Sequence, residues 1–473
     1  MTPSTPPVRF GRRSVLTGGL AALAVGMTAS VAGCATGGPI VGSDTVGSEG
    51  PKTAENPFGM AADSAIEVVV FNGGYGTEYA EFSAEQLRAK HAGVEIKISP
   101  SANIGQELQP RFTGGNPPDM FNNSGSGSIA LRSILDQVED LKELMQAPNH
   151  EGVTIADTLY PGTIEAGSVA GKMAHLPYVL SVFTTWYSAS LFAQNGWEPP
   201  RSWDETLALG AKAAEQDKYL FCWGKEAATY YLKMAIISAI KGGGDEVRLT
   251  LDRLEPNCWS HPAVQQAFVA LETCVAKGYF APGGAGTQFT AAQARWSDAQ
   301  EVLLYPSGSW IENEMKDQTA DGFEMTGFPV AMADPDNGAM PFESMFATAS
   351  TSFLVPTQAR NPAGGKEFLR AMLSPEAARN FARTTMAATV VRDTVPADAF
   401  GSTALASQIA MLDKAGSNTF SYIHGIYGME TDQAVVWNSF LSGKTDAAGL
   451  TRRLQEITDD IANDDSIEKV EVT

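Results

Sequence analysis

Basic residues are scarce in this chain. Its 473 residues carry 33 Lys and Arg against 54 Asp and Glu, a formal net charge of −21. Proteins that hold nucleic acid neutralise its phosphates with a basic face, so this balance excludes that class of partner. Cysteine is scarcer still, with Cys34, Cys222, Cys258 and Cys274 the full set. None stands in a CxxC pair, so neither a zinc site nor a dithiol redox centre is signalled. Cys258 and Cys274 leave two alternatives open, a disulfide outside the cytoplasm or two buried thiols. The histidines (His91, His150, His175, His261, His424) show no HxH or HExxH spacing, and no metal or cofactor is expected. A phosphate-binding GxxxxGK followed by Ser or Thr is missing as well. Gly74-Tyr75-Gly76 lacks the third glycine of a dinucleotide loop, and Gly125-Ser126-Gly127-Ser128 matches a nucleophile elbow only in part and reads as a Gly/Ser loop.

What is present begins with an address. Arg12-Arg13 precede an apolar stretch, Leu20 to Val31, rich in Ala and Gly. It is shorter than the about 20 apolar residues that span a bilayer, and reads as the core of an export signal. The twin arginine favours the Tat route, with Sec the alternative. Val31-Ala32-Gly33-Cys34 resembles a bacterial lipobox, in which Cys34 takes the lipid after cleavage at Gly33. Gly, Ser, Pro and Thr dominate residues 35–56, a composition suited to a flexible tether. The folded part is therefore expected to work outside the cell, held to the membrane by acyl chains.

Beyond the tether the length allows roughly two to three domain-sized units. Ile66 to Phe71 is rich in β-branched residues and predicts a strand ending at Asn72-Gly73-Gly74. A helix over Glu78 to Lys90, a strand over Val94 to Ile98 and a helix from about Gln106 to Phe112 follow. This alternation predicts a parallel α/β unit. Met120-Phe121 predicts a short strand opening into a polar loop, Asn122 to Ser128. Further on, Ser202-Trp203-Asp204-Glu205 is a capping box, and Asn361-Pro362 and Ser374-Pro375 pair a cap with a proline at the first helical position. Leu450, Leu454, Ile457 and Ile461 form one apolar stripe on a closing helix.

Aromatics stand beside small polar residues at Trp186-Tyr187, Trp223-Gly224, Ser307-Gly308-Ser309-Trp310, and Tyr422 with Tyr427. Read as loops, these supply the mixture carbohydrate sites need, with flat rings for the C–H face of a pyranose and polar groups for its hydroxyls. For any one of them a core role is an equal alternative.

The order of export signal, lipobox, tether and α/β body resembles that of carbohydrate ABC-importer solute-binding lipoproteins. Segments that fit this group are Gly114-Gly115-Asn116-Pro117-Pro118-Asp119, Trp186-Tyr187-Ser188, Pro199 through Glu205, and Gly308-Ser309-Trp310. Asn56 to Gly59, Val70 to Gly76, Leu108 to Phe112, Leu254 to Pro256 and Gly308 to Glu314 resemble a narrower branch, the actinobacterial N-acetylglucosamine/diacetylchitobiose-binding family. The likeness spans essentially the whole mature chain.

The resemblance implies an α/β, two-lobe periplasmic-binding-protein-like fold (type II, extracellular solute-binding protein family 1) with a hinge and an interlobe cleft. Residues 1–33 would be the signal and 34–62 the lipidated cysteine and tether. Lobe one would take 63–180 and 333–387, and lobe two 181–332 and 388–473. It implies a non-enzymatic monomer that closes on N-acetylglucosamine or chitobiose-type sugars and passes them to membrane permease subunits served by a separate ATPase. Trp310 would stack the sugar, with Asn122 and Asn123 at the cleft rim and Gly74 and Tyr75 in the neighbouring loop. Trp223 and Tyr427 would come from lobe two, and Glu343 and Ser181 complete the set. Asp119 is expected to be structural, and Trp203 to pack against its own helix. Rival expectations are the same role for a cello- or malto-oligosaccharide, a secreted glycosidase with two carboxylates about 5 to 9.5 Å apart, or an adhesive lipoprotein.

Overall fold

The computed structural model describes residues 50–125, 127–160, 162–465, 467, 469–470 and 472. The export signal, Cys34 and the tether up to residue 49 lie outside the described residues. Residues 50–62, expected to be tether, instead pack on the folded body, with Phe58 and Met60 buried in an apolar core and the Glu55 carbonyl accepting from Arg370 at 2.6 Å. Ile66 to Phe71 forms the body of β1 (Ala65–Phe71), followed by α1 (Glu78–Lys90), β2 (Glu95–Ser101), α2 (Ile104–Thr113) and β3 (Met120–Asn123). β1 pairs in parallel with both β2 and β3, the geometry that the strand–helix–strand order dictates. Asp119 fixes this unit from below. Its carboxylate accepts the backbone N–H groups of Glu67 and Asn361, both at 2.7 Å.

The strand that organises the molecule is β4 (Leu176–Ser188), thirteen residues buried almost throughout. The remaining strands of its sheet are β5 (Tyr219–Phe221), β6 (Val302–Gly308), β7 (Met325–Phe328), β8 (Met345–Leu354) and β9 (Thr419–Phe420), of which β6, β7 and β8 pair with it directly. The sheet runs β2-β1-β3-β8-β4-β6-β5, with β9 on β8 and β7 on β4. The first part of β4 pairs with β8 (Leu176 opposite Phe353), and its last part pairs with β6 (Tyr187 opposite Leu304). Phe183 stands at the changeover, opposite Phe346 on one side and Gly308 on the other.

Two large apolar cores lie on either side of that changeover. One gathers Val68, Val70, Leu87, Tyr178, Phe353, Phe368, Phe381 and Val391, and the other Trp203, Trp259, Phe268, Leu304, Trp437, Leu450 and Leu454. Each fully buried side chain of this size contributes about 1.5–3 kcal/mol. The expected division at 180/181 falls inside β4. Ala387, Val390 and Val391 all pack in the first core, whereas Ala333, Met340 and Phe346 pack against the second.

Helices of the second core include α3 (Trp203–Ala214), α4 (Thr229–Gly243) and α5 (Pro262–Ala276). α3 starts at the capping box, with Glu205 N–H donating to Ser202 Oγ at 3.1 Å. Such a cap contributes about 1 kcal/mol. Trp203 does not pack on its own helix alone, for its indole N–H donates across to Ser238 Oγ on α4 at 2.9 Å. After β6 comes the short α6 (Ile311–Met315), then α7 (Pro362–Met372) and α8 (Pro375–Thr385), whose prolines sit where the sequence put them. α9 (Thr403–Ala415), α10 (Glu430–Leu441) and α11 (Ala447–Ala462) close the chain, with Leu450 and Leu454 buried. Cys222, Cys258 and Cys274 are free thiols, all buried. Burial pushes each thiol up to about 12, so they pack as small apolar groups.

Candidate functional site

Two segments converge where β4 changes partners. The first follows β1. The Phe71 ring lies so close to Gly73 and Gly125 that a Cβ at either would fall 2.2 and 2.4 Å from it, and Gly125 has φ +85°. Glycine is thus required at Gly125 for both space and backbone conformation. The amides of Asn122 and Asn123 hold this loop in place. Asn122 Nδ2 donates to Ser124 Oγ and to Ser352 O of β8, both at 3.0 Å, and is 1% exposed. Asn123 clamps the loop through Ile129, donating to its carbonyl and accepting from its N–H, each at 2.8 Å. Both side chains shape the rim through contacts inside the loop and its strand.

The second segment is the turn from β6 into α6. Here Gly308 lies under the indole of Trp310, where a Cβ would come 2.0 Å from the ring. Trp310 remains half-buried, its ring edge-on to Tyr230 of α4 at 6.2 Å. Tyr230 in turn meets Phe183 at 5.6 Å and Tyr305 at 6.4 Å. Behind it Glu314 accepts a hydrogen bond from Gln293 Nε2 at 2.8 Å, and burial raises the Glu314 carboxyl above its ordinary range.

The two segments touch. Asn313 Nδ2 of α6 donates to the Gly74 carbonyl. Tyr75 packs on Phe381 at 5.5 Å, and its hydroxyl lies within electrostatic reach of Ser181 and Glu314. Burial pushes that phenol up to about 12. Ser181 Oγ shares a hydrogen bond with Ser350 Oγ at 2.7 Å across β4 and β8. Among the described residues, the buried Tyr75 hydroxyl, Ser307 Oγ, Tyr305 hydroxyl and Gln293 Oε1 have no hydrogen-bond partner. Tyr305, Ser307 and Gln293 are sealed in the core, with Tyr305 beside Gln293, whereas Tyr75 is only partly covered and lies at the edge of the aromatic cluster.

Trp310, Gly74, Tyr75 and Ser181 are therefore gathered, but three other expected residues are not. Trp223 is a core residue, 4% exposed, bonded through Nε1 to Asn438 Oδ1 at 3.2 Å with Gly284 against its ring. Tyr427 faces the C-terminal segment, its hydroxyl accepting from Val470 N–H at 3.2 Å. Glu343 is exposed and lies near Lys241. Lys241 is on α4, about 16 Å along the helix from Tyr230 by its rise per residue. Trp186 and Tyr187, read as loop residues, lie in β4, where Trp186 is core. Sequence reading passed over Tyr230, Asn313, Glu314, Phe346 and Lys233. Only Asn313 and Glu314 carried a signal, since they lie in the Gly308 to Glu314 segment that fits the narrower branch.

This fold, a sheet whose central strand runs between two cores with a polar and aromatic site at the changeover, defines a class. The chain belongs to the bacterial extracellular solute-binding protein family, whose model matches residues 73–379. It is 50% identical over 463 residues to the diacetylchitobiose binding protein NgcE of Streptomyces coelicolor, covering 98% of each chain. Among solved structures, RafE in complex with raffinose aligns with a TM-score of 0.67 at 18% identity, over 84% of this chain and 99% of that one. A chitin oligosaccharide binding protein aligns with a TM-score of 0.65 at 17% identity, again over 84% and 99%. At such identities the structural likeness shows the shared two-lobe fold alone. No helix among the described residues is long and apolar enough to cross a membrane.

Proposed function

We propose that this protein is the sugar-capturing subunit of an ABC importer, and that its ligand is N-acetylglucosamine or a chitobiose-type oligosaccharide. The observation that carries the reading is the 50% identity, over 98% of both chains, to a diacetylchitobiose binding protein. The geometry agrees with it. Trp310 offers an aromatic face for the C–H side of a pyranose, while Glu314 and Tyr75, both partly exposed, offer polar atoms to its hydroxyls and acetamido group. The two cores act as the two lobes, and β4 and β8 as the strands that join them. A ligand touching both the Gly74-Tyr75 loop and the α6 turn stabilises the closed arrangement by its differential affinity. The closed, monomeric complex then docks on membrane permease subunits, and a separate ATPase drives transport. Cys34 carries the lipid that keeps the protein at the outer face of the membrane, after export by the Tat route.

Thermal unfolding of the protein from about residue 50, which keeps the packed 50–62 stretch, against a panel of sugars, tests the reading. Binding to the native state alone stabilises by about 2.7 kcal/mol at a hundredfold excess over Kd. A rise in Tm with N-acetylglucosamine or diacetylchitobiose, but not with maltose, cellobiose or glucose, is expected, with no hydrolysed product. A rise with another sugar only would overturn the ligand and keep the transport role. Release of monosaccharide from a disaccharide would overturn the non-enzymatic reading.

A further inference from the structure

Near the Trp310 site lies a cavity of about 270 Å³, between α4, the start of β8, the 422–426 segment and the start of α10. It adjoins the first site through Phe183. Tyr230 meets one part of that ring at 5.6 Å, and Lys233 Nζ lies 5.8 Å from its centroid. Tyr230 and Lys233 are three apart on α4, hence neighbours on one helix face. The far wall is aromatic, Phe346 against Tyr422 at 4.9 Å, and Ile426 stands at the cavity 58% exposed.

Of the polar groups lining this cavity, His424 and Gln433 are bonded to each other, Glu430 offers a carboxylate, and two donors, Lys233 and the Tyr422 hydroxyl, are left over. Lys233 makes no hydrogen bond or ion pair with any described residue, and the Tyr422 hydroxyl makes none either. Glu430 also lines the cavity, exposed and beyond ion-pair distance, so its charge is felt at Lys233 without occupying the ammonium's donors. An ammonium has three donors and no acceptor capacity, so it calls for an oxygen acceptor supplied from outside the protein. A cavity of this size lies just under the usual range of about 300–1,000 Å³ for whole ligands, which fits one ring of a larger ligand. Aromatic walls fit the flat C–H face of that ring.

We propose that this cavity is the subsite for a second N-acylated pyranose, whose acetamido carbonyl accepts a hydrogen bond from Lys233 while Phe346 and Tyr422 cover the ring. The inference rests on the sugar reading above and deepens it, because it makes Lys233 the residue that selects disaccharide over monosaccharide. The first ring stays at Trp310, and the second reaches past Tyr230 and Phe183 into the cavity.

The test is isothermal titration of wild type, Lys233→Met and Tyr422→Phe with N-acetylglucosamine and with diacetylchitobiose. Lys233→Met keeps the length of the side chain and removes its donors, and Tyr422→Phe keeps the ring and removes the hydroxyl. The expected result is tighter binding of the disaccharide by wild type, and at least a tenfold loss for the disaccharide in Lys233→Met. Affinity for the monosaccharide should change less than twofold. A smaller loss in the same direction is expected for Tyr422→Phe. Equal losses for both sugars, or no loss for either, would overturn the subsite while leaving the sugar reading intact. Wild type that binds neither sugar would overturn the sugar reading, and the subsite with it.

Discussion

Replacing Asn313 by alanine removes a side-chain hydrogen bond that joins α6 to the loop after β1, from Asn313 Nδ2 to the Gly74 carbonyl. The bond is solvent-exposed, so its net worth is that of an ordinary hydrogen bond, about 0.5–1.5 kcal/mol. If the two segments meet only in the closed form, that free energy is subtracted from closure and appears in the ligand affinity, a loss of about 2- to 13-fold. The unliganded fold should hardly notice, because Gly74 has open space around it and neither residue is in a core. Isothermal titration with the tightest sugar, together with the Tm of the unliganded protein, separates the two effects. Asn313→Asp is the companion variant. It replaces the donor by a carboxylate facing a carbonyl oxygen and should cost more than alanine does. Unchanged affinity in both variants refutes the idea that these segments couple ligand capture to closure. A fall in affinity matched by an equal fall in unliganded stability refutes it too, since the bond would then be serving the fold.

Gly308→Ala should cost ligand affinity at least tenfold while leaving the protein folded, because the new methyl would sit 2.0 Å from the Trp310 indole and drive the ring out of place. Retained affinity, measured by titration, would show that Trp310 does not carry the sugar. A second expectation concerns acid. His424 is 1% exposed, and burial holds its imidazole down to about 4. Between that value and the ordinary 6.5, the unfolded chain takes up a proton that the folded one refuses, so stability falls as pH drops through this window. At pH 5 the difference is on the order of 2 kcal/mol for this one group. His424→Gln should therefore lose less stability than wild type between pH 7 and pH 5, measured by urea unfolding. Parallel losses in the two proteins would count against it. The comparison between variants is needed because buried acids such as Glu314 and Glu367, whose carboxyls burial raises, push the other way.

The elements were legible in the sequence where local chemistry decides them. β1, α1, the capping box of α3 and the proline starts of α7 and α8 fall where their residues put them. The family resemblance implies a structural Asp119, and its two backbone bonds fit that role. The site was harder. Trp310 stands out because it follows Gly308-Ser309 at a strand end, but Tyr230 carries no such mark. It is followed by Tyr231, which is 1% exposed and bonded to Cys222 O at 2.5 Å. α4 is buried on nearly every face, so periodicity cannot separate the tyrosine that meets Trp310 from the one that fills the core. Trp223 shows the reverse error. Its Gly neighbour suggested a loop, while its partners, Asn438 and Gly284, come from far along the chain. Asn122 and Asn123 are expected at the cleft rim, but nothing in the sequence says that Ser352 and Ile129 claim their amides.

The three thiols of the folded body are reduced and sealed in its interior. Nothing among the described residues therefore waits on an oxidant, and no isomerase has to sort pairings. The body can reach its final packing in a reducing cytosol, before any membrane is crossed, and the same packing serves after release into an oxidising exterior. Recombinant production then needs no oxidising compartment or refolding with a thiol buffer. A reductant should leave the melting temperature where it was.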